Sequence, residues 1–160
     1  MGLEFAHLGW VDIRIEQERL MNPELLSVHE YTGEGYLPLV DFGQWRVAFL
    51  RFEGGLLPQN IKEMQRHNET DEVFVLLEGQ CILFIGEGDT TVEHIHAVNM
   101  EPLKLYNVKQ STWHTHTLTE DASVLIVENR NTSLKNSPRI PLSVDQQQQL
   151  LQMTATHWSG

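Results

Sequence analysis

Short apolar segments of β-forming composition follow one another between Trp45 and Glu128. Most of them are separated by Gly, Asp, Asn, Glu or Pro, and no helix-length pattern interrupts them. The segments read WRVAFLRF, VFVLL, QCILFI, VEHIHAV, LKLYNV, WHTHTL and SVLIVEN. This composition and spacing are typical of strands. The pattern predicts an all-β fold of antiparallel strands, either a sandwich or a small barrel.

Local signals predict the turns and the two ends of the chain. The sequence LEGQ at 77–80 predicts a tight hairpin turn in which Gly79 takes a positive φ, and GEGD at 86–89 predicts the next turn. We expect a short helix around residues 16–21 that stops near Pro23. Ser143 is placed to be the N-cap of a final helix in VDQQQQLLQM. Short helical extensions are therefore expected at both ends of the β fold.

Size and charge narrow the class of protein. The 160 residues suit one domain, and the net charge of −11 argues against nucleic acid or an anionic membrane surface as a partner. No secretion leader is visible and no apolar run approaches membrane-spanning length, so we expect a cytoplasmic protein. Cys81 lies within QCILFI and is interpreted as a small buried hydrophobic residue.

Side chains alternate between the two faces of a strand, and this directs several polar side chains toward the interior of the predicted fold. His114 and His116 are two residues apart in STWHTHTL, so both face the same side of a strand. Glu72 shares a face with Phe74 and Leu76, which points its carboxylate inward. Burying a carboxylate is costly unless it is paired or coordinated. These positions are candidates for metal ligands.

Each of these positions also has an interpretation without a metal. The two histidines of STWHTHTL could be interior residues that bond to Glu72, Tyr106 or a backbone carbonyl. Glu72 could instead belong to a solvated acidic turn with Glu69 and Asp71. The residue types alone leave both alternatives open.

Other histidine and aromatic positions receive no role at this site. His94 and His96 alternate in VEHIHAV, and we interpret them as surface or rim residues. Trp113 faces opposite to His114, so it is expected to pack outside the barrel.

The stretch QRHNETDEVFVLLEG at 65–79 resembles the first motif of the cupin superfamily. In that motif two His, one residue apart, precede a Glu that is followed by six residues and a Gly. His67 matches the second His, Glu72 the Glu and Gly79 the Gly, whereas Gln65 stands at the position of the first His.

A later stretch, YNVKQSTWHTH, resembles the second cupin motif. His114 takes the position of the histidine that closes the metal site from a later strand. Lys109 and Ser111 stand where this motif usually has Pro and Gly. The resemblance covers about residues 40–130.

The resemblance implies an antiparallel double-stranded β-helix, the cupin jelly-roll barrel. Residues 1–160 would form a single cupin domain with a barrel core at about 40–130. An N-terminal arm (1–39) and a C-terminal tail with its helix (131–160) would flank this core. Cupins commonly dimerise, so a homodimer is expected as well.

The resemblance also assigns candidate roles. It implies a divalent metal held by His67, Glu72 and His114, with His116 placed to supply the ligand that Gln65 does not. Zn²⁺, Fe²⁺, Mn²⁺ and Ni²⁺ all accept such ligands. Glu72 and His114 are the candidate catalytic residues. Gln65 and Tyr106 are the candidate substrate-binding residues.

Three functions follow as hypotheses. The first is a metal-dependent lyase, isomerase or dioxygenase that acts on a small polar metabolite. The second is a metal-free cupin that binds a small molecule or serves as a homodimeric structural protein, which the departures at Gln65, Lys109 and Ser111 favour. The third is an enzyme similar to the ureidoglycolate lyases, because QRHNETDEVF and STWHTHTL resemble their Arg-His and Trp-His segments.

Overall fold

A computed structural model of the chain describes residue 22 and residues 24–158. The chain divides into two units, residues 1–30 and residues 31–160. In the described part of the first unit, the Asn22 side chain accepts a hydrogen bond of 3.0 Å from the backbone N–H of Glu24. The helix expected around residues 16–21 lies outside the described residues, so it stays a prediction.

Ten strands and one helix make up the described part of the second unit. Two 3₁₀ turns, Gly54–Leu56 and Pro58–Asn60, follow the second strand. The elements are β1 (Gly35–Phe42), β2 (Trp45–Arg51), β3 (Glu63–Gln65), β4 (Glu72–Glu78), β5 (Cys81–Glu87), β6 (His94–Asn99), β7 (Leu105–Val108), β8 (Trp113–Leu118), β9 (Ser123–Asn129), β10 (Arg139–Pro141) and α1 (Val144–Trp158).

The strands form two antiparallel five-stranded sheets. The first sheet has the order β1-β2-β9-β4-β7, and the second has the order β10-β3-β8-β5-β6. Several neighbours within a sheet are distant in the sequence, as in β2 beside β9 and β5 beside β8. This arrangement confirms the prediction of an all-β jelly roll.

Two apolar clusters hold the layers together, and β5 contributes to both. Cys81 and Leu83 belong to the cluster that joins the two sheets, which confirms the buried position of Cys81. Ile82 and Phe84 point the other way, into a cluster that includes Leu150 of α1. The second sheet is therefore covered on both faces, and its strands are held from two sides.

The C-terminal helix begins where the sequence predicts. The Ser143 hydroxyl accepts a hydrogen bond of 3.2 Å from the backbone N–H of Gln146, and the Gln146 side chain accepts one of 2.9 Å from the Ser143 N–H. This reciprocal pair is a capping box, which satisfies donors that the first turn of a helix leaves unpaired. The helix buries Leu150 and Thr154.

The sheets extend beyond the range of 40–130 expected for the barrel. Strand β1 begins at Gly35, and β10 ends at Pro141. Both are edge strands, so Pro38 and Pro141 can be accommodated there. The pairing of β1 with β2 shifts register between Pro38 and Val40. A proline and a bulge explain why this segment lacks a regular strand pattern.

The turn at 77–80 is present, but it is not a hairpin. Gly79 has a φ of +70°, as predicted. The flanking strands β4 and β5 lie in different sheets, so the turn carries the chain from one layer to the other. The prediction of paired strands was wrong because local turn residues do not determine which distant strand each segment pairs with.

Gly79 generates a stability prediction. A Cβ atom there would lie 2.5 Å from the Cα of Ala122, and the φ of +70° is unfavourable for other residues. At Gly43 the φ is +56° and nothing lies within 4 Å of a Cβ. We expect Gly43→Ala to lower the free energy of unfolding by about 1 kcal/mol and Gly79→Ala to lower it by about 3 kcal/mol or more, because only Gly79 adds a backbone clash. Urea denaturation measures both, and equal losses would contradict the account.

Candidate metal centre

Glu72 opens β4 and lies inside the fold. It shares the inner face of the strand with Phe74 and Leu76, and its exposed fraction is 4%. The predicted inward direction of Glu72 is confirmed. The alternative of a solvated acidic turn is wrong, because the interior location removes this carboxylate from water.

Two histidines supply the partners of this carboxylate. The Nε2 atom of His67 lies 3.0 Å from Glu72 Oε2, and the Nε2 atom of His114 lies 2.9 Å from the same oxygen. His67 arrives from the loop before β4, whereas His114 is the second residue of β8 in the opposite sheet. Both imidazoles are buried. The three residues therefore join the two sheets around one carboxylate oxygen.

The other nitrogen of each imidazole is anchored by the protein. His114 Nδ1 donates to the backbone carbonyl of Thr112 at 2.9 Å, and a carbonyl can only accept. His67 Nδ1 lies 2.7 Å from the hydroxyl of Ser137, which itself donates to the side-chain oxygen of Asn136 at 3.3 Å. The hydroxyl is thus an acceptor toward His67. Both rings therefore direct Nε2 at Glu72.

The local charges shift the pKa values of this group. Burial alone would raise the pKa of Glu72, but hydrogen bonds and charge from His114 and His67 bring it down to about 2. Burial opposes the charged form of His67, yet its pKa is raised overall by hydrogen bonding to Glu72 and by the charges of Glu72 and Glu128. Glu72 is therefore an anion, and its neighbourhood attracts a positive charge.

The three residues fit a divalent cation. Because the protein anchors Nδ1 of each ring, Nε2 is the nitrogen of each ring that would bind a cation beside Glu72. Metal-bound histidines characteristically donate their other N–H to a carbonyl, carboxylate or water, as His114 does here. The ligand atoms of His67, Glu72 and His114 all lie within 4.8 Å of one another. Two imidazoles with one carboxylate suit Zn²⁺, Fe²⁺, Mn²⁺ or Ni²⁺.

Three other predicted site residues lie farther from this centre. Gln65 is the register partner of His114, and it lines a cavity that His67 and Glu72 also line. His116 also lines that cavity, but it lies two residues farther along β8, about 7 Å from His114, and outside the cluster of ligand atoms. Tyr106 packs against the core and accepts a hydrogen bond of 2.8 Å from the backbone N–H of Glu101, and it is not among the residues that line the cavity.

The residues that depart from the cupin motifs have structural roles. Ser111 has a φ of +63°, so the conformation that favours Gly is kept, and its N–H donates to the carbonyl of His67 at 2.8 Å. Lys109 lies 2.8 Å from the carboxylate of Asp71, next to Glu72. The loop before β8 is thereby tied to the segment that carries His67 and Glu72.

A cavity of about 680 Å³ opens beside this candidate metal centre. Tyr36, Arg46 and Glu128 line it together with His67 and Glu72, and none of these three is predicted as a site residue from the sequence. Alternation in SVLIVEN could have found Glu128, because it follows the buried Val124 and Ile126 at a spacing of two residues. Tyr36 lies on an irregular strand and gave no such signal.

The remaining predictions concern residues outside the cavity. Trp113 packs in the cluster beneath α1, under the guanidinium of Arg66 at 4.5 Å, so its outward direction is confirmed. His94 and His96 are exposed, as predicted, and His96 lies 2.7 Å from Glu87.

Solved structures similar to this chain are barrels of the same kind. Streptomyces Pac13, a nucleoside dehydratase, is 11% identical, with a TM-score of 0.50 over 75% of this chain and 97% of that chain. A cupin-2 domain protein of Shewanella frigidimarina is 18% identical, with a TM-score of 0.46 over 71% and 98%. KdgF of Halomonas is 11% identical, with a TM-score of 0.46 over 61% and 79%.

This chain has the cupin fold. No protein-family model and no curated protein sequence matches it. The likeness to the solved structures therefore concerns the cupin barrel, and the chemistry must be argued from the side chains. In the described part of the chain, no helix is long and apolar enough to cross a membrane.

The pair of His67 and Glu72 generates a pH prediction for the metal-free protein. The pKa of Glu72 is lowered from 4.5 to about 2. The charged carboxylate therefore stabilises the fold above pH 4.5, and this contribution is lost as the pH falls toward 2. The pKa of His67 is raised above 6.5. The protonated imidazole therefore stabilises the fold below pH 6.5, and this contribution is lost as the pH rises through the raised pKa. The difference in unfolding free energy between wild type and Glu72→Gln should therefore be largest, about 3 kcal/mol, between about pH 4.5 and 6.5.

Urea denaturation in the presence of a chelator, repeated across this pH range, measures the difference. Glu87→Gln is the control, because it removes a carboxylate that contacts the exposed His96. An advantage of wild type that grew steadily toward alkaline pH would contradict the assignment.

Proposed function

We propose that this protein binds one divalent metal ion through His67, Glu72 and His114 and uses it to bind or transform a small polar metabolite. The observation that carries the proposal is the direction of the two imidazoles. Thr112 and Ser137 fix the Nδ1 side of each ring, so both Nε2 atoms converge on Glu72 Oε2 at 2.9 and 3.0 Å. Histidines that bind metals are characteristically oriented in this way, by a hydrogen bond at the other ring nitrogen.

A bound divalent ion would act as a Lewis acid that polarises an oxygen of the metabolite. The protein supplies the remaining requirements. Glu72 holds a negative charge in the interior, and His67 and His114 keep their Nε2 atoms directed at the same point. Phe74 packs its ring against His114 at a centroid distance of 6.1 Å, which limits the movement of that imidazole. Such preorganised ligands are the part of the chemistry that the chain itself provides.

A metal-free binding protein is the second candidate. The observation in its favour is that Gln65 occupies a position beside His114 where a third imidazole would complete the ligand set. In this alternative, hydrogen bonds from His67 and His114 would satisfy Glu72 by themselves, and the cavity would bind its ligand by hydrogen bonds. The two candidates differ in one measurable property, the affinity for metal.

Metal binding decides between them. Wild-type protein freed of metal should bind one equivalent of Zn²⁺, Mn²⁺, Ni²⁺ or Fe²⁺ on titration, as measured by calorimetry and elemental analysis after gel filtration. His114→Ala and Glu72→Gln should each weaken the binding by about 100-fold or more, since each removes a ligand that the others cannot replace. His96→Ala is the control, because His96 is exposed and lies outside the centre.

Wild type that binds none of the four ions would overturn the proposal and leave the metal-free candidate. Binding that His96→Ala abolished and His114→Ala spared would place the ion elsewhere.

A further inference from the structure

A second polar group faces the cavity, and the metal centre does not use it. Glu128 lies on β9 with an exposed fraction of 7%, and its Oε1 atom accepts a hydrogen bond from the hydroxyl of Tyr36 on β1. Val127 of β9 is the register partner of Val73 of β4, so Glu128 lies beside Glu72, the first residue of β4. Glu128 and Tyr36 thus form a wall of the cavity next to the metal centre.

The Glu128 carboxylate interacts with the charge of His67 but forms no salt bridge in the part of the chain that the structure describes. Its register neighbour Arg46 instead donates two hydrogen bonds, of 2.8 and 3.0 Å, to the carboxylate of Asp41. The hydroxyls of Tyr36 and Thr132 are neutral donors to it, whereas an ionised carboxylate offers about four acceptor positions. A buried carboxylate with so few donors is costly, so its free positions suit donors brought by a ligand.

The cavity presents an unmatched imidazole as well. Nδ1 of His116 is buried and has no hydrogen-bond partner among the described residues. The ring lines the same cavity, with its centroid 5.9 Å from that of Phe74. A nitrogen of this kind is satisfied by a group that can either donate or accept. A hydroxyl does both, whereas a carboxylate or an ammonium does only one.

The rest of the lining combines apolar side chains, such as Leu50 and Ile126, with charged side chains, such as Arg139, and with neutral polar groups. It contains six side chains with hydroxyl or amide groups: Asn60, Gln65, Thr115, Thr132, Ser133 and Ser137. The volume of about 680 Å³ is in the range of cavities that hold a metabolite. Hydroxyl and amide groups recognise other hydroxyls in either hydrogen-bond direction.

We propose that the cavity binds a polyhydroxylated metabolite, such as a sugar or a sugar acid, one hydroxyl of which donates to the carboxylate of Glu128. Tyr36 is a positioning residue, because its hydroxyl donates to Oε1 and holds the carboxylate in the cavity wall. This inference rests on the proposed function, since another oxygen of the same ligand would face the metal. It names Glu128 as the residue that selects a ligand with hydroxyl groups.

Binding of matched probes tests the inference. Metal-loaded wild type is titrated with D-gluconate, D-glucuronate and D-ribose, and with hexanoate, which has the six carbons and the carboxylate of gluconate without its hydroxyls. At least one polyol should bind, and hexanoate should bind about tenfold more weakly or not at all. Glu128→Gln should weaken the polyol about tenfold or more, and Tyr36→Phe by a smaller factor, without loss of metal affinity.

Glu87→Gln is the matched control, since it makes the same change of charge outside the cavity and should bind the polyol as wild type does. Failure of all three polyols to bind, hexanoate binding as tightly as gluconate, or unchanged polyol affinity in Glu128→Gln would each overturn the inference.

Repeating the titrations on chelator-treated protein separates this inference from the proposed function. Polyol binding that depends on Glu128 in a protein that takes up no metal would support this inference alone. Metal uptake by a protein that binds no polyol would support the proposed function alone.

Discussion

The charge of Glu72 must be matched inside the protein, and the architecture around it follows from that requirement. A buried carboxylate without a partner is unstable relative to one in water, so positive or hydrogen-donating groups must surround it. His67 approaches from the loop before β4 and His114 from the opposite sheet, at 3.0 and 2.9 Å from one oxygen. The contact therefore crosses the barrel, and the separation of the two sheets is coupled to the geometry of the site.

The layers of the fold keep this contact in place. The second sheet is packed against the first on one face and beneath α1 on the other, so β8 has little freedom to move. The loop before β8 is anchored by Ser111, whose N–H bonds to the carbonyl of His67. The segment carrying one histidine is thereby tied to the strand carrying the other. Such support reduces the rearrangement that metal or ligand binding would require.

Alternation along strands accounts for what could be predicted from the sequence. It placed Glu72 with Phe74 inside, Trp113 outside and Cys81 in the core, because side-chain direction in a strand depends only on local geometry. The cupin motifs then associated His67 with His114, two residues that no local rule connects.

Pairing between distant strands accounts for what was missed. The turn at Gly79 was recognised, yet its flanking strands belong to different sheets, which depends on long-range packing. His116 lines the cavity but is not part of the ligand cluster, so its role as a ligand stays a prediction. Tyr36 reaches Glu128 across 92 residues of sequence, a contact that requires the positions of β1 and β9.

Anomalous diffraction from crystals grown with Mn²⁺ or Zn²⁺, recorded at the absorption edge of the metal, tests the central claim most directly. The account predicts one strong peak per chain, bonded to Nε2 of His67, Nε2 of His114 and a carboxylate oxygen of Glu72, with both Nδ1 contacts unchanged. A site without a peak, or a peak bonded only to surface groups such as His96 and Glu87, would contradict it.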